Sequence, residues 1–177
     1  MKISHFDFVR LGQSHLTGNF DCDDTDLNDF LKNTSFKQQE QLLGVTYLLK
    51  DEERVAAFFT LSNDKIRLED GKSKNFWNSQ VSKGIPHNKR RKDYPAVKLG
   101  RLGVHNECKS RGIGTMILDY LKTWFRADNR AGCRFLTVDA YVQSLEFYLK
   151  NGFNYLNIES EREGTRLLYF DLGAARK

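Results

Sequence analysis

The strongest hydrophobic pattern in this chain is helical. Apolar residues recur at spacings of three and four from Ile113 to Phe125, which predicts one helix with a core-facing side. Strand-like runs of apolar and β-branched residues flank this helix at 96–104 and 134–138. A strand, a helix and a strand in this order predict a right-handed parallel crossover.

Shorter patterns predict the other elements. Strands are predicted over residues 3–10, 45–49, 55–61 and 166–170, the middle two as a hairpin, and helices over residues 25–41 and 143–151. Acidic residues at 21–26 lie where a helix N-terminus favours negative charge, and Gly152 ends the last helix. The side chains of Leu145, Tyr148 and Leu149 are expected to face inward. Together these elements predict an α+β (α/β) fold, with a mixed sheet and helices on both faces.

Length and composition favour a single globular domain. The 177 residues are 40% hydrophobic and 12% aromatic, which suffices for one core. Residues 63–94 break the strand pattern and are polar and basic, so they are predicted to form an insertion with a short helix around Trp77. Because the sequence has no apolar run of signal-peptide or membrane-span length, we expect a cytoplasmic protein.

The net charge favours a polyanionic partner. A formal charge of +5 suits coenzyme A and RNA equally, so the charge does not choose between them. Cys22, Cys108 and Cys133 are scattered and odd in number, which favours reduced thiols over a disulfide framework. No second ligand pair at zinc spacing accompanies His105 and Cys108, so no metal site is expected.

The segment 109–115 predicts a phosphate-binding loop. A strand that leads through a glycine-containing turn into a helix leaves several backbone N–H groups without acceptors, and such groups bind anions. A P-loop fits worse, because it needs Lys-Ser/Thr directly after its second glycine. The Rossmann fingerprint also fails, because Ile117 stands where its third glycine should be. A tight turn without a ligand is the alternative interpretation of so short a motif.

Three motifs, in this order, resemble those of the GNAT acetyltransferases. They are LGRLGV at 99–104, KSRGIG at 109–114 and FYLKNGF at 147–153. The coenzyme A signature of the family begins with Gln or Arg, and here Lys109 keeps the charge. A second departure lies before the third motif, where the family often has Asn and Ala and this chain has Tyr141 and Ser144.

The resemblance implies a single GNAT acetyltransferase domain over residues 1–177, with a mostly antiparallel twisted sheet of about six to seven strands. It also implies acetyl-CoA as co-substrate. The predicted cofactor-binding residues are Leu102, Gly103, Val104, Lys109, Ser110, Arg111, Gly112, Ile113, Gly114 and Thr115. The strand around Gly103 is expected to splay from the strand at 135–138, so that an N–H of Leu102 or Val104 can bind the thioester oxygen in the slot.

Tyr148 is the predicted catalytic residue, by its match to the tyrosine of the third family motif. In that role it donates a hydrogen bond or a proton to the departing thiolate. The alternative interpretation is a core aromatic residue on an amphipathic helix.

Two segments, residues 20–31 and PAVKLGRL at 95–102, resemble those of one GNAT branch, the bacterial toxins that acetylate aminoacyl-tRNA. An α-amine acceptor suits the lack of a convincing general base, because an α-amine near pKa 8 loses its proton more easily than a lysine near 10.4. Asp93, Glu69 and Glu107 are nominal candidates for a general base, but acidic residues in loops are usually only solvated. The predicted substrate-binding residues are Lys89, Arg90, Arg91, Lys92 and Arg101, which can bind RNA phosphates or form part of a solvated loop.

Two other functions remain open from the sequence. One is a GNAT enzyme that acetylates a small-molecule or protein amine, and the other is a catalytically inactive GNAT-like module that binds RNA. The implied partners of the toxin branch are a charged tRNA, an antitoxin protein and a second copy of the chain.

Overall fold

Seven strands form one mixed sheet in the order β1-β2-β3-β4-β5-β7-β6. The computed structural model describes residues 6–15, 17–51, 54–127, 131–156 and 164–174. The strands are β1 (Phe6–Arg10), β2 (Val45–Asp51), β3 (Arg54–Arg67), β4 (Asp93–Val104), β5 (Phe135–Tyr141), β6 (Asn154–Tyr155) and β7 (Thr165–Asp171). The β4/β5 pair is parallel, whereas β1/β2, β2/β3, β5/β7 and β6/β7 are antiparallel. The predicted fold class, a mixed and mostly antiparallel sheet with helices, is therefore confirmed.

The helices agree with the hydrophobic pattern and add detail to it. They are α1 (Thr25–Asp29), α2 (Ser35–Glu40), α3 (Lys74–Phe76), α4 (Ile113–Ala127) and α5 (Leu145–Lys150). A π-helical segment, Phe30–Thr34, joins α1 to α2, and another, Trp77–Val81, continues α3. None of the described helices has the length and apolar composition needed to cross a lipid bilayer.

Two strand boundaries and one side-chain orientation differ from the sequence-based expectation. Strand β3 runs on to Arg67 and β4 begins at Asp93, so the predicted insertion at 63–94 includes two strand ends as well as the helix around Trp77. The inward orientation of Leu149 is wrong, because its side chain is 37% exposed. The predicted start of the first strand, residues 3–5, lies outside the described residues.

The chain forms two compact units, each made of two chain segments. The first unit combines Met1–Ser62 with Leu99–Ile117, and the second combines Asn63–Lys98 with Leu118–Lys177. The expectation of a single acetyltransferase domain stays a prediction.

The first unit packs around the Phe58 ring. Phe58 is 0% exposed; Phe30 stacks on it at 6.2 Å between ring centroids, and Phe20 meets it edge-on at 5.3 Å. The buried amide of Gln39 fixes α2 to the strands, because it donates to the Leu11 carbonyl at 2.8 Å and accepts from the Thr46 amide at 3.2 Å. Both ends of this amide are satisfied, so its burial costs little.

The second unit has its core where β5 meets β7 and α3. Phe135 and Leu156 are fully buried there, and the rings of Trp77 and Tyr94 stack at 5.5 Å. The parallel ladder of β4 with β5 pairs Ala96–Phe135, Val97–Leu136 and Lys98–Thr137 and ends there, although both strands continue.

Candidate active site

The loop that opens α4 has the backbone form of an anion-binding turn. Ser110 and Gly112 are both left-handed, with φ of 59° and 77°. The Met116 amide donates to the Gly112 carbonyl at 3.0 Å, so the amides of residues 113–115 precede the first intrahelical bond. A Cβ built on Gly112 would meet no heavy atom within 4 Å, so the space at this turn is open. These features are what a pyrophosphate cradle requires of the protein.

Lys109, the departure from the family signature, forms an ion pair with an acid from the start of the chain. Its Nζ lies 2.7 Å from Asp23 Oδ2, and the Asn106 side chain donates to the same carboxylate at 3.4 Å. The hydrogen bonds from Lys109 and Asn106 lower the pKa of Asp23, so this carboxylate is ionised at neutral pH. Asp23 itself is left-handed, with φ of 61°, which is uncommon for a residue with a side chain.

The segment 21–24 is tied to this loop by its backbone as well. The Asn106 amide donates to the Asp21 carbonyl at 2.8 Å. Within the segment, the Asn28 side chain accepts from the Cys22 amide at 3.0 Å and from its thiol at 3.2 Å. Of the acids at 21–26 that the sequence assigned to the helix N-terminus, Asp24 caps α1 by accepting from the Leu27 amide at 3.0 Å, and Asp26 lies in its first turn.

The second half of β4 carries three predicted cofactor-binding residues, Leu102, Gly103 and Val104, and they lie in the same unit as the loop. A Cβ on Gly103 would lie 2.6 Å from Phe58 Cε1. This clash gives a packing reason for the glycine. A role of Gly103 in binding the cofactor stays a prediction.

Replacement of Gly103 by alanine should destabilise the first unit. Phe58 is fully buried and cannot move aside, so overpacking is expected to cost about 1–3 kcal/mol in the free energy of unfolding. Gly100→Ala is the matched control on the same strand, because its Cβ would approach nothing closer than the Thr60 carbonyl at 3.8 Å. Denaturant unfolding measures both variants; equal stability of the two would contradict the packing argument.

Arg101, a predicted substrate-binding residue, is held within the first unit. Its guanidinium lies over the Phe30 ring at 5.2 Å, donates to the Gly100 carbonyl at 3.1 Å and is 3.7 Å from the Asp26 carboxylate. Its Nε is buried and has no hydrogen-bond partner among the described residues. Arg101 therefore has a structural role beside any contact with substrate.

Tyr148, the predicted catalytic residue, lies on α5 in the second unit. Its side chain is 7% exposed and packs edge-on against Phe147 and Phe153, at 5.0 and 5.4 Å. Burial raises the pKa of Tyr148 far above its ordinary value, so the phenol keeps its proton throughout the neutral range. A neutral, protonated hydroxyl is the form that a hydrogen-bond or proton donor needs.

The three nominal bases are all in ion pairs. Glu107 pairs with Arg54 at 2.9 Å, Glu69 with Arg67 at 3.8 Å, and Asp93 with Lys65 at 3.7 Å and Arg91 at 3.9 Å. Each of these three carboxylates therefore already has a cationic partner.

The two suggested metal ligands have structural roles. The His105 ring accepts from the Glu107 amide at 3.3 Å and packs edge-on against Phe20, while Cys108 is buried. Across the described residues, no group of three or more His, Cys, Asp or Glu side chains is arranged to hold a metal ion.

The basic run at 89–92 lies in the second unit, and its four side chains are exposed. The predicted cofactor-binding residues thus form one continuous part of the first unit, whereas Tyr148 and the basic run belong to the second.

The comparisons with known proteins agree with this fold and these motifs. Residues 75–155 match the acetyltransferase (GNAT) domain family. A tyrosine-to-phenylalanine mutant of KacT is similar in structure, with a TM-score of 0.76, 24% identity and 95% of each chain covered. So are AtaT complexed with acetyl-methionyl-tRNAfMet (TM-score 0.73, 24% identity, 94% of each chain) and AtaTR bound with AcCoA (TM-score 0.69, 21% identity, 96% of this chain and 95% of that one).

The family match and the fold point to one class: residues 75–155 match the GNAT acetyltransferase domain, and the similar structures share the fold of the chain. The resemblance drawn from the three motifs is confirmed. Within that class, the similar structures include AtaT and a further bacterial toxin.

Proposed function

We propose that this protein is an N-acetyltransferase that transfers the acetyl group of acetyl-CoA to the α-amine of an aminoacyl-tRNA. The observation that carries the cofactor half of the proposal is the open turn with left-handed Ser110 and Gly112 at the start of α4. A helix N-terminus with unpaired amides and no side chain over its glycine is suited to a pyrophosphate.

The amides from Arg111 to Thr115 would bind the two phosphates of acetyl-CoA, and Lys109 would add charge. An ammonium group has three donors, so Lys109 can hold Asp23 with one and a phosphate oxygen with another. The ion pair with Asp23 fixes the position of Lys109 before the cofactor arrives, which lowers the entropy cost of binding.

Acetyl-CoA supplies the acetyl thioester, and β4 would receive it along the part of the strand that follows Lys98, where the ladder with β5 ends. An N–H of Leu102 or Val104 would donate to the thioester oxygen and stabilise the negative charge that develops when the amine attacks the carbonyl carbon. The new N–C bond then forms and the C–S bond breaks.

Tyr148 would donate a hydrogen bond or its proton to the departing sulfur. Burial raises the pKa of the phenol, which keeps it protonated and able to donate a hydrogen bond. If its proton passes to sulfur, the proton that the amine loses would restore the phenol. Because none of the nominal bases is free of a cationic partner, the acceptor is expected to be an amine that is partly neutral at physiological pH, as an α-amine is.

The tRNA acceptor is supported by the similarity to AtaT complexed with acetyl-methionyl-tRNAfMet. AtaT is also known in complex with the antitoxin AtaR, which supports an antitoxin as a partner of this chain. A homodimer remains a further partner hypothesis.

Labelled acetyl-CoA tests the acceptor. The protein is incubated with it and with charged or uncharged tRNA, and label is expected in the charged tRNA alone. Label that appears only in added protein or small-molecule amines would assign the enzyme to another acceptor class. Calorimetric titration with acetyl-CoA tests the cofactor separately, because a folded chain that binds no acetyl-CoA is not an acetyltransferase.

A further inference from the structure

The backbone of Arg91, inside the basic run, is held by two buried side chains. The Trp77 indole Nε1 donates to the Arg91 carbonyl at 3.0 Å, and the Arg91 amide donates to the Tyr94 hydroxyl at 3.0 Å. Trp77 is 3% exposed and Tyr94 is 5% exposed. Both backbone polar groups of one residue in an exposed run are therefore fixed from the core side.

A third buried residue completes this arrangement. The Ser82 hydroxyl is fully buried and lies 3.0 Å from the Tyr94 hydroxyl, so the phenol is engaged on two sides. We call Trp77, Ser82 and Tyr94 the clamp. The stacking of Trp77 on Tyr94, with ring planes 16° apart, sets the orientation of both polar groups.

The residues on either side of Arg91 are also anchored. The Leu68 amide donates to the Lys92 carbonyl at 2.7 Å, and Arg90 Nε donates to the Ile85 carbonyl at 3.3 Å. A solvated loop, the alternative interpretation from the sequence, needs no such anchoring of its backbone.

The charges that this fixed backbone presents are largely uncompensated. Of the four exposed cations, Arg91 lies near an acid, Asp93, at 3.9 Å, and that acid also faces Lys65. Within the described part of the chain, Lys89, Arg90 and Lys92 make no ion pair. A preordered row of unpaired cations suits a row of phosphates, because it binds them without first ordering a loop.

We propose that the clamp holds residues 89–92 as a preformed surface for the phosphate backbone of RNA, with Trp77 and Tyr94 as positioning residues. The proposal rests on the proposed function only for the choice of RNA as the polyanion. It makes the clamp, and not the number of positive charges alone, responsible for affinity.

The first test removes the three unpaired cations. In the variant K89Q/R90Q/K92Q, the dissociation constant of uncharged tRNA, measured without acetyl-CoA over a salt series, should rise about tenfold or more. The slope of log affinity against log salt should also become shallower, by roughly 0.7–0.9 for each phosphate that the variant no longer neutralises. The matched control K32Q/K37Q/K150Q removes the same charge from exposed positions elsewhere and should keep most of the affinity and the slope.

The second test removes the clamp without changing any charge. Tyr94→Phe deletes the hydroxyl that accepts the hydrogen bond of the Arg91 amide. This variant should weaken tRNA binding several-fold and raise KM for tRNA. Its kcat and its affinity for acetyl-CoA should stay unchanged. Tyr169→Phe, another buried tyrosine of the same unit, is the control for the loss of a phenol. Wild-type tRNA affinity in a folded Tyr94→Phe variant overturns the positioning role.

Unchanged tRNA binding by K89Q/R90Q/K92Q would overturn the proposed RNA-binding surface. Because this variant alters only exposed side chains, it tests the proposal even if the clamp variants do not fold. If the triple variant instead loses binding to polyglutamate but not to tRNA, the surface belongs to an acidic protein partner. Failure of acetyl transfer with intact, clamp-dependent tRNA binding would refute the proposed function and leave this inference standing.

Discussion

Substitution of Tyr148 by phenylalanine is expected to lower kcat by about tenfold or more, the usual range for loss of an acid–base group. The variant keeps the ring and its contacts with Phe147 and Phe153, so packing should be preserved and only the donor to sulfur is removed. Steady-state kinetics at saturating acetyl-CoA and acceptor measures the effect.

The control for this variant is Tyr169→Phe. Tyr169 is also buried, and burial also raises its pKa, but it packs on Phe135 and Phe76 in the core of the second unit. The kcat of the Tyr169→Phe variant should match that of the parent enzyme. If Tyr148→Phe retains full turnover as well, Tyr148 is a core aromatic residue and the catalytic assignment is wrong.

The second large effect is expected at the turn before α4. Gly112→Ala should raise the dissociation constant of acetyl-CoA at least tenfold, equivalent to about 1.4 kcal/mol. A methyl group there would occupy the open space that the pyrophosphate needs, and at φ of 77° it would also strain the backbone. Isothermal titration with acetyl-CoA measures the change.

Gly84 separates backbone strain from weakened binding. It has the same φ of 77°, and a Cβ there also meets no heavy atom within 4 Å. Gly84→Ala should therefore lose as much stability as Gly112→Ala while keeping its affinity for acetyl-CoA. Equal affinities in the two variants would mean that the turn at Gly112 binds no phosphate.

What could be predicted from the sequence was local in the chain. Helix α4 has 15 residues, which is long enough for its helical period to be unmistakable, and the turn before it follows from glycine at 112. Helix α5 has only six residues, which is too few for periodicity to orient each side chain, and the expectation for Leu149 failed there. The short strand β6 has two residues and no pattern of its own.

The contacts that refine the candidate site could not be predicted because they join distant parts of the chain. Asp23 and Lys109 are 86 positions apart, and nothing in the acidic run distinguishes Asp23 from Asp24, which caps a helix. Trp77 and Tyr94 were visible as aromatic residues near the basic run. Their hydrogen bonds to Arg91 depend on how the insertion folds back, which no pattern in a single sequence specifies.

The thiol of Cys22 lies in the short segment that carries the Asp23 partner of Lys109. Burial raises the pKa of this thiol, and Asn28 accepts its hydrogen bond, so the reactive thiolate is scarce while the segment is closed. Peroxide and maleimides should therefore react slowly with the native enzyme at this position. The rate of alkylation at Cys22 would therefore measure how often the segment beside Lys109 opens locally.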